Sequence, residues 1–123
     1  MKQWTRKQIM KGLQKKIPAI NFMKKSEKFL ARGGGIWTYQ SNWDWFYKGL
    51  PVFDYEAEEY GHVLMSEVGE KDPVLSKMEI KTAYVNGVYR EIHNWLEDRG
   101  WYPQWCNVDT LFFWPYNIKG FGK

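Results

Sequence analysis

Apolar residues between positions 88 and 96 fall at Val88, Tyr89, Ile92, Trp95 and Leu96, one stripe at helical spacing. Arg90, Glu91, Asn94, Glu97 and Asp98 fill the other faces. The pattern predicts a helix over 86–99, with Asn86 or Thr82 as its cap and Gly100 as the left-handed residue that stops it. Arg90 near its start and Glu97 and Asp98 near its end oppose the helix dipole. Packing of the stripe, not local electrostatics, must therefore hold this helix. From Trp101 the period changes to two. Trp101, Pro103 and Trp105 point one way and Tyr102, Gln104 and Cys106 the other. Asn107-Val108-Asp109 turns the chain and 110–115 returns. Pro103 has no N–H to donate, which sends its strand to an edge or a bulge. Phe112-Phe113-Trp114 makes both faces of the returning strand apolar, the signature of a central strand covered on each side.

Upstream, Thr5 caps a predicted helix over 5–16 that carries Ile9, Leu13 and Ile17 on one face, with Met10 beside them; Pro18 ends it. Ile20 to Met23 is a short apolar segment with strand character, and Lys24-Lys25-Ser26 reads as a basic turn. Segments 28–32 and 36–40 form a predicted hairpin around Gly33-Gly34-Gly35. Val52 to Asp54 is a short strand, after which Asp54 caps an acidic helix over 56–68. Residues 74–85 fit both periods, and the helical reading continues them toward Leu96. Assembled, the fold class is α+β. A small antiparallel sheet of segments 28–32, 36–40, 101–106 and 110–115 has helices 5–16 and 86–99 packed on one face.

At 123 residues the chain forms one domain, 1–123, long enough to bury a core without covalent staples. The single cysteine, Cys106, excludes an internal disulfide. The charged start has no apolar run of signal-peptide type, and no stretch approaches the roughly 18 apolar residues of a membrane span. A cytoplasmic location and no membrane partner are the expectations.

Charge changes the picture. Residues 1–32 hold ten Lys or Arg against one acid, Glu27, whereas 54–72 hold seven acids against Lys71, so the net charge of +4 conceals a polarised chain. Aromatic residues make up 19% of the chain, with eight Trp, more than a core of this size needs.

No linear motif specifies a reaction: there is no phosphate-binding loop of Walker type, dinucleotide fingerprint, paired-histidine zinc motif, C-x-x-C or nucleophile elbow. Gly33-Gly34-Gly35 precedes β-like residues instead of a helix, so it reads as a turn and not as a phosphate cradle. His62, His93 and Cys106 lack the short spacings of a zinc site, and Cys106 in an apolar hairpin reads as an inert core residue. Asp54, Glu56, Glu58 and Glu59 on a helix read as a solvated or partner-facing surface. No catalytic residue, cofactor or metal is assigned.

What stands out is a basic third followed by aromatics. Arg6, Lys7, Lys11, Lys15, Lys24, Lys25, Lys28 and Arg32 can track a phosphate backbone, and Trp37, Tyr39, Trp43, Trp45 and Tyr47 can stack bases. The same residue types make hot spots with a protein, and the opposed charges steer association. In composition the chain resembles the small accessory and inhibitor proteins of phages and mobile elements. That resemblance implies stoichiometric contact with a protein or a nucleic-acid-processing complex. The leading expectation is a non-enzymatic binding protein with a protein partner. The alternatives are a nucleic-acid-binding module using the basic third and the 37–47 aromatics, and an enzyme that no linear motif betrays.

Overall fold

The computed structural model describes residues 3–29, 33–39, 45–55, 83–107 and 109–117. The elements run α1 (Arg6–Lys16), β1 (Lys24–Lys25), a 3-10 turn (Ser26–Phe29), β2 (Ile36–Tyr39), β3 (Phe46–Tyr47), β4 (Leu50–Pro51), β5 (Tyr84–Val85), β6 (Val88–Tyr89), α2 (Arg90–Glu97), β7 (Trp101–Asn107) and β8 (Thr110–Pro115). β1, β2, β8 and β7 form, in that order, an antiparallel sheet of four strands; β3–β4 and β5–β6 are separate hairpins. The fold is α+β, as the pattern predicts.

α1 starts at the expected cap. Thr5 Oγ1 accepts from the Gln8 amide at 3.2 Å, and Gln8 Oε1 accepts from the Thr5 amide at 2.9 Å, a reciprocal box that satisfies two orphan donors. Ile9 and Leu13 are buried, Ile17 caps the far end, and Lys15 and Lys16 complement the dipole there. The core unites Ile9 and Leu13 of α1, Ile92 and Leu96 of α2, and Ile36, Leu111, Phe113 and Trp101 of the sheet, so both helices cover one sheet face. Pairing of Ile36 with Phe113 and of Phe113 with Pro103 sets the inward row. The next row, Lys24–Trp37–Phe112–Gln104, faces the other way.

That outer face is a second aromatic layer. The rings run Phe22–Trp37 (5.0 Å), Trp37–Phe29 (4.8 Å), Phe29–Phe112 (5.3 Å) and Phe112–Trp114 (5.2 Å). Phe112 and Trp114 are buried there although they point away from the helices. β8 is thus a central strand covered on both sides. β7, with Pro103, lies at the edge and is bulged between Trp105 and Asn107.

Four expectations are corrected. The strand that pairs with β2 comes from Lys24–Lys25, not from 28–32 or from Ile20 to Met23. The Ser26 amide donates to the Gly35 carbonyl (2.9 Å) and the Gly35 amide to Ser26 Oγ (2.9 Å), and this closure turns Ser26–Phe29 into a 3-10 turn; residues 30–32 lie outside the described part. The second helix begins at Arg90, not at 86. Asn86 (φ 53°) and Gly87 (φ 71°) both take left-handed geometry and form the tight turn between β5 and β6. Tyr84–Val85 is therefore strand, while 74–82 and the acidic segment 56–68 lie outside the described residues. Cys106 is exposed at the bulge and is no core residue. Gly100 does carry the positive φ (82°) expected after the second helix.

Val52 to Asp54 joins the β5–β6 hairpin edge-on. Phe53 bridges Val88, the Tyr89 amide donates to the Val52 carbonyl (2.8 Å) and the Asp54 amide to the Gly87 carbonyl (2.7 Å). Among the described residues no helix is long and apolar enough to cross a membrane.

Candidate nucleic-acid interface

The basic residues predicted as a set divide into two environments. Arg6 opens α1 but is only 4% exposed: its Nη1 donates to Glu27 Oε1 at 2.8 Å and to the Gly35 carbonyl at 3.1 Å. A cation at a helix N-terminus opposes the dipole, and the Glu27 carboxylate offsets it there. Burial raises and hydrogen bonding lowers the Glu27 pKa; its own backbone amide and the Arg6 guanidinium carry the balance below the usual carboxylate value. Arg6 is a structural clamp that ties α1 to Glu27 and Gly35, which leaves it no free charge for a phosphate.

Lys7, Lys11 and Lys15 continue along the exposed side of α1 at i, i+4 and i+8. Lys7 and Lys11 form one wall of a groove of about 460 Å³ whose other lining residues are Arg6, Met10 and Lys25. The groove continues into a more open hollow of about 340 Å³ lined by Met10, Lys11, Gln14, Asn21, Phe22 and Met23. Its floor is apolar and its rim basic. Lys24 and Lys28 are also exposed, and Lys24 Nζ stands 5.5 Å from the centre of the Phe22 ring. Ion pairs engage Arg6 with Glu27, and Lys16 and Lys48 with Glu91. Lys7, Lys11 and Lys25 face the groove with no carboxylate partner among the described residues.

The aromatics divide too. Tyr39 is 53% exposed and Trp37 half-buried, both on the outer sheet face. Trp45 belongs to the core, its indole N–H donating to Asn21 Oδ1 at 3.2 Å. Tyr47 is held elsewhere: its hydroxyl donates to Glu91 Oε2 (2.6 Å), and Glu91 also takes Lys48 (2.7 Å) and Lys16 (3.7 Å). The Lys48 and Tyr47 hydrogen bonds keep the Glu91 pKa low despite some burial. Arg32 and Trp43 lie outside the described residues. Met10, Phe22 and Met23 were not among the predicted site residues. Phe22 precedes β1 by two residues, and its place in the apolar run 20–23 beside Lys24 was the signal that could have found it.

His93 is buried on α2 with Nδ1 unpartnered, and Cys106 lies exposed on the bulged edge strand, so the two sit in different surroundings. Burial lowers the His93 pKa, against a smaller upward pull from Glu97. The unfolded chain takes up a proton near pH 6.5 while the folded chain resists it, so stability is present above that pH and is lost as pH falls. The loss is about 1.4 kcal/mol per pH unit of the depression. Urea midpoints between pH 7.5 and 5.5 should fall for the native chain and stay flatter for His93→Leu. Parallel slopes would remove His93 as the cause.

Comparison of the chain with protein-family models, with curated proteins and with solved structures gives no match.

Proposed function

We propose that the protein is a non-enzymatic binding protein that acts by stoichiometric contact, and that the α1 groove takes the phosphate backbone of a nucleic acid. The observation that carries this reading is the convergence of Lys7, Lys11 and Lys25 on one groove without a carboxylate partner among the described residues. Like charges one helical turn apart cost a few tenths of a kcal/mol. Glu27, the acid of the basic third, is already engaged by Arg6. Among the described residues the groove gathers cations without matching anions, and a polyanion fits such a surface.

A protein partner, the leading expectation from the sequence, draws on exposed aromatic hot spots. Among the described residues the exposed large apolar side chains are Tyr39 and Tyr116, and the Tyr116 hydroxyl is committed to Glu97. Among the described residues exposed lysines outnumber exposed aromatics, which supports backbone tracking. The likeness to phage and mobile-element accessory proteins fits the same reading, with the protein occupying a nucleic-acid-processing complex.

Fluorescence anisotropy with labelled oligonucleotides across a salt series tests it. Three lysine–phosphate contacts predict a log–log slope near −2, from about −0.7 per phosphate on single strands. Lys7→Glu/Lys11→Glu/Lys25→Glu should remove binding while leaving the thermal melt close to native, because all three side chains are exposed. Unchanged affinity in a folded triple variant would exclude the groove.

A further inference from the structure

We infer that the ligand is single-stranded and that Tyr39 is its base-stacking platform, with Phe22 as the link between platform and groove. This inference rests on the groove reading above. Alternation along β2 turns Ile36 and Thr38 into the core and places Trp37 and Tyr39 on the outer face. Tyr39 is 53% exposed, whereas the rings beyond it, Phe112 and Trp114, are covered. The Phe22 ring stands edge-on to Tyr39 (6.4 Å, 84°) and to Trp37 (5.0 Å, 79°). An edge-to-face contact buttresses the ring and engages at most one of its two faces, which leaves the other for a base.

Phe22 also lines the hollow that Lys11 borders, so one side chain joins the basic groove to the aromatic face across the β1 edge. Lys24, cross-strand from Trp37 and over the Phe22 ring, marks the crossing with a further cation. A strand laid along this path keeps its phosphates on Lys7, Lys11 and Lys25 and turns a base over the sheet edge onto Tyr39. Duplex offers the same phosphates but holds its bases stacked and paired, out of reach of the ring. The lysines supply affinity for any polyanion; Tyr39 supplies the preference for an unpaired base.

The test is anisotropy at one fixed salt concentration with three labelled probes: a thymidine homopolymer, an abasic strand of equal length and a duplex. The native chain should hold the thymidine strand roughly tenfold or more tighter than the abasic strand. Tyr39→Ala should bring the two together without changing the salt slope, and Tyr39→Phe, which keeps the ring, should preserve the difference. Circular dichroism confirms that each variant is folded. Equal binding of thymidine and abasic strands, still sensitive to the lysine triple substitution, overturns the stacking inference and spares the groove. Tighter binding of duplex, or a Tyr39→Phe variant as weak as Tyr39→Ala, overturns it as well. Failure of every probe, or displacement of the strand by polyglutamate at equal charge, overturns both readings together.

Discussion

Trp101→Ala should lower the unfolding free energy by about 3–5 kcal/mol, a large share of the roughly 5–15 kcal/mol typical of a domain. Trp101 is fully buried in the one core that both helices and the sheet share. Truncation removes the transfer energy of the indole and leaves a cavity among residues of three different elements, which cannot all move in to fill it. A polar loss adds to this. The indole N–H donates to the Trp4 carbonyl at 2.8 Å, and the Trp4 amide donates to the Arg99 carbonyl at 3.0 Å. Trp4 in turn stands edge-on to Trp95, with the Arg99 guanidinium 4.7 Å from the Trp4 ring and 4.5 Å from the Trp95 ring. Trp101 thus anchors the segment leading into α1, not just the start of β7. Urea titration gives the number. Trp101→Phe, which keeps most of the apolar volume and loses the donor, should cost distinctly less. A loss below about 1 kcal/mol for Trp101→Ala would mean that the cavity collapses and the packing is not shared as described.

Legibility of the fold followed the length of the periodic signal. The 5–16 helix and the 101–115 hairpin each sustain their period over six or more residues, and both were readable to within a residue or two. β1 was not: it is two lysines long, too short for any period, and it is a strand because the Ser26–Gly35 closure lays it against β2. Asn86-Gly87 was legible and was assigned the wrong role. An Asn-Gly pair between Tyr84-Val85 and Val88-Tyr89 is the strongest short-range hairpin signal, yet the helical stripe that begins at Val88 absorbed it. Two turn residues and the helix that follows share one apolar run, and periodicity alone does not separate them.

The candidate site shows the same limit. Arg6 counted with the basic surface, although 6, 9, 13 and 17 fall on one helical face, and extending the stripe backward by one step places Arg6 on the buried side. Charge composition records how many cations a segment holds, and helical phase decides which of them reach solvent. Trp45 and Tyr47 illustrate the aromatic version. Their neighbourhood in sequence suggested one stacking surface with Trp37 and Tyr39, but each is committed to a distant partner, Asn21 and Glu91, that no local pattern announces.

The three consecutive glycines give a mutational series whose steps differ in physical cause. At Gly33 an added Cβ meets Glu27 Oε2 at 3.0 Å, the end of a flexible side chain, so Gly33→Ala should stay within about 1 kcal/mol of native. Gly34 has φ 99°, and alanine there should cost about 1 kcal/mol or more in backbone strain. Gly35→Ala should be the most damaging, at about 2–4 kcal/mol, from overpacking together with lost buried hydrogen bonds. A Cβ at Gly35 lies 2.5 Å from Trp114 Cζ3 and 2.8 Å from the Phe113 carbonyl oxygen, and the second of these is backbone in the central strand. Relief requires β2 to move off β8. That movement pulls on the Gly35 carbonyl, which accepts from Arg6 and from the Ser26 amide, and on the Gly35 amide, which donates to Ser26 Oγ. Arg6 borders the lysine groove, so a displaced Gly35 should also weaken oligonucleotide binding, whereas Gly33→Ala should leave it intact. Thermal melts and anisotropy on the three variants read both quantities. Equal tolerance at Gly33 and Gly35 would show that the close approach to Trp114 is not a constraint of the fold. A Gly35 variant that lost stability but kept full affinity would separate the groove from the Arg6 clamp.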